Sequence, residues 1–211
     1  MTLPAYQTAS GATDIMAHVF ERYFTNTKDV EITDRLCEAV LLTMIKEVPR
    51  AIAEPDNYEA RANIMWAGMV AHNNSCGVGR AQDWSSHDIE HELSAEYDCA
   101  HGAGLAVVFP AWMRYTVNQD TMRFAQLASR VWGVSMNYAD PMETALQGIE
   151  RLKAFLTSIG MPIRFKELGA KEADIEKLAH AACYGDGRKG NLGGFVRLGQ
   201  ADVEAIYRLA L

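Results

Sequence analysis

Gly79-Arg-Ala-Gln-Asp-Trp-Ser-Ser-His-Asp-Ile-Glu-His-Glu-Leu-Ser-Ala-Glu-Tyr-Asp-Cys-Ala-His-Gly102 holds three of the six histidines of this chain within fifteen residues. From about Trp84 to Tyr97 it contains neither Gly nor Pro, which predicts a helix. On that helix His87 and His91 are i and i+4, so they share one face. His101 follows a short turn that can fold back over the helix end. Neutral imidazole is the commonest protein metal ligand at neutral pH, so the cluster is a candidate metal site.

Outward from this stretch the chain breaks into further helices separated by turn residues. The first is expected from about Thr8 to Phe24, with Ala12, Met16, Val19, Phe20 and Tyr23 at helical spacing. Thr33 is the expected N-cap of a second helix, which should end before Pro49 or Pro55. Pro55-Asp56-Asn57 opens a third, with Ile64, Met65, Met69 and Val70 as its expected inner face. Ser75 to Gly79 reads as loop. A fifth helix starts after His101-Gly102, and Pro110 is expected to kink or break it. Arg114 to Val131, Pro141 to Ile159, Glu172 to Tyr184 and Ala201 to Leu209 complete the set. Gly185 to Gly194 carries five Gly in ten residues and is expected to be a mobile loop. No segment alternates over a strand length, and no Gly-x-Gly-x-x-Gly occurs. The fold class expected is all-α, a multi-helix bundle.

Composition agrees. Thirty of 211 residues are Ala, the best helix former. Apolar residues make up 49% and charged residues 22%, which excludes disordered and collagen-like classes. The net charge of -7 argues against a nucleic-acid partner, because phosphate binding needs a basic patch. Gly104 to Met113, the longest apolar stretch, is about half a membrane span, so no membrane partner is expected. No signal peptide is read at the N-terminus. Four Cys without a CxxC fit a reducing cytosol, so a cytoplasmic location is expected.

Asp14 and His18 form a second i, i+4 pair, off the main apolar stripe of the first helix. Two such helices facing each other could supply three nitrogens and one carboxylate oxygen to one metal. A rival reading takes His87-Asp-Ile-Glu-His91 as the H-x-x-E-H pattern of a zinc hydrolase, with His87 and His91 as ligands and Glu90 as base. A third is a helical metal-binding module without catalysis. His72 and His180 are read as ordinary surface or core histidines. Trp66, Met69, His72 and Trp84 are candidate pocket-lining residues, but core packing is expected of each.

The 79–102 stretch resembles the metal-site segment of iron-containing alcohol dehydrogenases. It is most similar to the butanol dehydrogenase branch, through Gln82-Asp-Trp84, His91-Glu-Leu93 and His101-Gly102. Thr13-Asp-Ile-Met-Ala-His18 is similar to that family's D-x-x-x-H helix. Gly193-Gly-Phe-Val-Arg-Leu-Gly-Gln-Ala-Asp-Val-Glu-Ala-Ile206 resembles its C-terminal end. The resemblance implies that residues 1–211 are the helical metal-binding domain, without the nucleotide-binding α/β domain. It implies Asp14, His18, His87 and His101 as metal ligands, with His91 beside the metal as a proton relay. It implies Fe²⁺, with Zn²⁺ an acceptable ion, and NAD(P) bound only with the nucleotide-binding domain in cis or in trans. The substrates implied are small primary alcohols and their aldehydes. The chain alone is expected to be inactive, and apolar area left uncovered around Asp14 and His87 is expected to favour a homo-oligomer.

Overall fold

The computed structural model describes residues 2–211. Among them are nine α-helices: α1 (Ala5–Tyr23), α2 (Glu31–Ala53), α3 (Tyr58–His72), α4 (Ser85–Tyr97), α5 (His101–Thr116), α6 (Thr121–Trp132), α7 (Pro141–Ser158), α8 (Ile175–Tyr184) and α9 (Gln200–Leu209). The expected all-α bundle is therefore what forms. Short 3₁₀ turns and one two-stranded ribbon, β1 (Asn191–Leu192) against β2 (Leu198–Gly199), join them. No described helix is long and apolar enough to cross a membrane.

The apolar spacing of α1 buries Ala12, Met16, Val19, Phe20 and Tyr23 against its neighbours. From Gly102 to Met113, α5 is buried on every side, as a helix that is apolar all round must be. These two helices form the centre. Phe20, Phe24, Phe109, Trp112, Phe124 and Phe195 fill the core with rings whose centroids lie 4.3–6.5 Å apart. Helices α2, α3 and α4 flank this centre, and α3 and α4 bring His72, His87 and His91 to one side of it.

Several boundaries differ from those expected. Helix α2 runs through Pro49 but stops at Ala53, before Pro55, the later of its two expected ends, and α5 runs through Pro110 to Thr116. Each loses one backbone hydrogen bond. For α5 the burial of the whole cylinder outweighs that loss, and the break falls instead at Val117–Asp120, where the Asp120 side chain caps α6 through Arg123 N. Thr33 lies inside the first turn of α2, where its hydroxyl donates to Val30 O and receives Arg80 Nε at 3.1 Å. It is not the N-cap.

Helix α3 turns a different face inward. Ala60, Ala67 and Ala71 are buried, whereas Met65 is 77% and Trp66 68% exposed, with Met69 and Trp84 also exposed. Ile64 and Val70 of the expected inner face do pack against the core, whereas the expected core roles of Met65, Trp66, Met69 and Trp84 are corrected. Gly68 lets α3 approach Ile15 of α1 closely, and Met65 and Trp66 are left outside. The expected mobile Gly-rich loop contains a 3₁₀ turn and strand β1. It continues into Gly194 and Phe195, whose N–H groups donate to buried Asp83 at 2.8 and 2.6 Å.

One close approach sets the spacing of the centre. A Cβ on Gly102 would collide with the Ser10 carbonyl of α1, a backbone atom that cannot step aside. The first turn of α5 therefore sits against α1 one turn before Asp14. Gly102→Ala is expected to destabilise the fold by about 1–3 kcal/mol through this overpacking. Urea unfolding measures it, and an unchanged midpoint would show that the helices can separate freely.

Candidate metal centre

Asp14, His18 and Glu21 are i, i+4 and i+7 on α1, so one helix face carries all three. The N-terminus of α4 is fastened to that face. Asp83 N donates to Glu21 O at 2.8 Å, and Asp83 Oδ1 accepts Ser85 N at 2.6 Å. Glu21 Oε1 accepts His87 N at 3.1 Å, satisfying one of the donors a helix leaves open at its start. Trp112 Nε1 donates to Ser85 Oγ at 2.8 Å and anchors the same turn to α5. At the other end of α4, Asp98 adopts the left-handed conformation (φ 49°), which an aspartate tolerates better than most residues. The chain reverses there and places His101 at the first position of α5.

These elements bring the four expected ligands together around Asp14 Oδ1. His101 Nε2 lies 3.4 Å from it, His87 Nε2 3.5 Å and His18 Nε2 3.7 Å. Donor atoms of Asp14, His87 and His101 all fall within 4.8 Å of one another, and those of Asp14, His18 and His72 form a second such group sharing Asp14. The separations are too long for charge-assisted hydrogen bonds, which run about 2.7–2.9 Å. Two ligands held about 2.0–2.2 Å from one ion stand roughly 2.8–3.6 Å apart. Asp14 Oδ1 and His87 Nε2 are buried and have no hydrogen-bond partner. A shared divalent cation fits this donor set and would satisfy both atoms.

Carboxylates back two of the rings. Glu21 Oε2 is 2.7 Å from His87 Nδ1, close enough for charge pairing although out of line for a hydrogen bond. Glu90, fully buried, abuts His101 Nδ1 and accepts the Ser94 hydroxyl. Each pairing turns Nε2 toward Asp14, as the outer partner of a metal-binding histidine does. His18 differs: Arg22 Nη1 donates to its carbonyl at 2.6 Å and lies 3.4 Å from its Nδ1.

The charges follow from these neighbours. Burial works against ionised Asp14, but His101, His87 and His18 outweigh it and hold its carboxyl far below the usual range. Burial alone would lower His87, yet Asp14 and Glu21 raise it to about 9. Asp14 and Glu90 raise His101 to about 10 against the opposing effect of burial. Burial, helped by neighbouring His87 and the Arg22 cation, lowers His18 to about 4 despite Asp14. Glu21 is pushed up by burial in spite of His87.

His91 stands beside this group, its ring 5.3 Å from that of His101 and 6.2 Å from that of His87. Burial lowers its pKa, with the His101 and His87 cations acting in the same direction. The hydrolase arrangement does not form. His87 groups with Asp14 and His101, and its Nδ1 faces Glu21, while Glu90 is fully buried and groups with His91 and His101 instead. His180 is exposed, on Tyr184, as expected.

Two residues escaped the sequence reading. His72, expected to be ordinary, brings Nε2 to 3.5 Å from Asp14 Oδ2 and its ring to 4.1 Å from that of His18. It lies on α3, and no spacing rule connects it to α1. Glu21 was legible, since it continues the Asp14, His18 face by one further turn.

The chain matches the profile of the Fe-containing alcohol dehydrogenase family, C-terminal, over residues 8–211. It is 40% identical over 210 residues to the probable NADH-dependent butanol dehydrogenase 2 of Bacillus subtilis, covering 100% of this chain and 54% of that one. It is 39% identical over 208 residues to NADH-dependent butanol dehydrogenase A of Clostridium acetobutylicum, covering 98% and 53%. The solved structure of NADH-dependent butanol dehydrogenase A from Thermotoga maritima superposes with a TM-score of 0.93 at 39% identity, covering 99% of this chain and 53% of that one. The chain thus spans about half the length of the relatives it matches.

Two outcomes follow from the geometry. Glu21→Ala leaves the His87 N–H without its buried acceptor and should cost about 1–3 kcal/mol in urea unfolding. Wild-type stability in that variant would show that α4 is held by other contacts. A divalent cation entering the cluster must displace protons from His87 and His101, whose pKa values are raised, but none from His18. Affinity should therefore climb with pH and level off as pH passes about 9 to 10. Calorimetry in buffers of different ionisation enthalpy reads the protons released, and zero release at pH 7 would contradict the assignment.

Proposed function

Because this chain belongs to the Fe-containing alcohol dehydrogenase family, we propose that it is the metal-binding part of an oxidoreductase that interconverts primary alcohols and aldehydes with NAD(P)H. Asp14, His18, His87 and His101 would hold the metal, with Fe²⁺ the native ion and Zn²⁺ an acceptable one. The observation that carries this reading is the convergence of three imidazole Nε2 atoms on one Asp14 oxygen at 3.4–3.7 Å. When bound, the metal supplies a Lewis acid that polarises the substrate oxygen.

The chain's own residues supply the rest. Glu21 and Glu90 fix the tautomers and directions of His87 and His101. Trp84 packs its ring 5.4 Å from both His18 and His87, with the Arg22 guanidinium 4.9 Å from its centroid. His91, whose lowered pKa keeps it neutral near pH 7, takes the proton from the alcohol oxygen and returns it in the reverse direction. In reduction the aldehyde carbon gains a hydride from NAD(P)H and its oxygen gains this proton.

The nicotinamide nucleotide is held by a nucleotide-binding unit, in cis or in trans, and not by residues 1–211. Beside the centre, Leu3, Gly11, Ile15, Tyr58, Met65 and His72 line an apolar groove of about 620 Å³ between α1 and α3. Its exposed Tyr58 and Met65 offer area for such a unit or for a second copy of the chain, in keeping with a cytoplasmic oligomer.

An anomalous-scattering map of metal-soaked crystals should place one ion against Asp14, His18, His87 and His101. Ligation by His87 and His91 together would defeat the assignment. This chain mixed with NADH, butanal and Fe²⁺ should give no turnover, and sustained NADH oxidation would refute the need for a separate nucleotide-binding unit.

A further inference from the structure

Three histidines, not two, share one pattern around Asp14. His87 and His101 have Nδ1 against a carboxylate and Nε2 toward Asp14. His72 has Nδ1 2.8 Å from the Gly68 carbonyl and Nε2 3.5 Å from Asp14 Oδ2. A carbonyl only accepts, so the His72 proton sits on Nδ1 and its lone pair on Nε2 faces the cluster. A metal-binding histidine donates its other N–H to a carboxylate or to a backbone carbonyl in just this way.

The contact is not what an ordinary ion pair would adopt. At 3.5 Å, Nε2 and Oδ2 are too far apart for a charge-assisted hydrogen bond. His72 is 42% exposed at the end of α3, so packing does not force it there. Its ring nonetheless lies 4.1 Å from His18, a second basic ring, and its donor atom groups with those of Asp14 and His18 within 4.8 Å.

We propose that His72 is a fifth protein donor to the metal centre, joining Asp14, His18, His87 and His101. The inference rests on the metal reading above. It has a consequence for the ion: five protein donors exceed the four places of tetrahedral zinc but leave one place on a six-coordinate divalent ion. His72 itself borders the groove between α1 and α3.

Cobalt(II) bound to this chain tests it without reference to activity. Each imidazole bound through Nε2 contributes one hyperfine-shifted, solvent-exchangeable Nδ1–H proton signal. The wild-type chain should show four, from His18, His72, His87 and His101, and His72→Leu should show three. The surface control His180→Leu should keep four. Cobalt affinity should fall at least about tenfold in His72→Leu and stay unchanged in the control. Circular dichroism checks that both variants are folded, as exposed positions allow. Three signals in wild type and His72→Leu alike, or equal affinity, would overturn the inference and leave the four-ligand reading standing. Failure of cobalt to bind either protein would overturn both.

Discussion

A single buried carboxylate sets the geometry on which the centre depends. Glu21, 0% exposed on α1, receives the His87 N–H at the start of α4 and faces the His87 ring with its other oxygen. Its backbone carbonyl receives Asp83 N, and Asp83 in turn fastens the α4 start and the segment at Gly194 and Phe195. Burial raises the energy of the Glu21 charge, and the surrounding donors and imidazole offset only part of that cost. A helix start, a ring orientation and a loop thus hang on one residue.

The electrostatics divide the cluster into two kinds of imidazole. Anions lie behind His87 and His101, and a guanidinium lies behind His18. The first kind is basic and keeps a proton until a stronger Lewis acid arrives. The second is neutral already. Asp14 bridges them, so its charge is compensated from both sides. The same arrangement explains why a polar group this dense survives beside an apolar core: each charge meets its opposite within a few ångströms.

Much of the fold was legible. The apolar spacing of α1, the Gly- and Pro-free run of α4 and the all-helical composition were read correctly, and the i, i+4 pairs placed Asp14 with His18 on one helix. Their meeting with His87 and His101 came from the family resemblance, because helical periodicity says nothing about which helices touch. Pro110 misled because local propensity yields to burial of a whole helix, whereas α2 passes Pro49 by one turn and stops before Pro55. The inner face of α3 was only half legible because its residues are apolar on several sides: Ile64 and Val70 pack inward, Met65 and Met69 do not, and the buried alanines carry little weight in a hydrophobic pattern. His72 was hidden for the same reason, since its role arises only after α3 packs. Glu21 lies one helical turn beyond His18 on the same face.

Gly102 against the Ser10 carbonyl has a bearing on redesign. Two backbones in contact fix how far α1 stands from α5, and therefore how far Asp14 stands from His101. Side-chain substitutions can change donor atoms on those helices but cannot widen the gap between them. The opposite wall, α3, meets α1 through Ile15 and a slender glycine at Gly68. Attempts to fit a larger ion or a bulkier substrate have room to succeed by recutting α3, and little room anywhere else around the cluster.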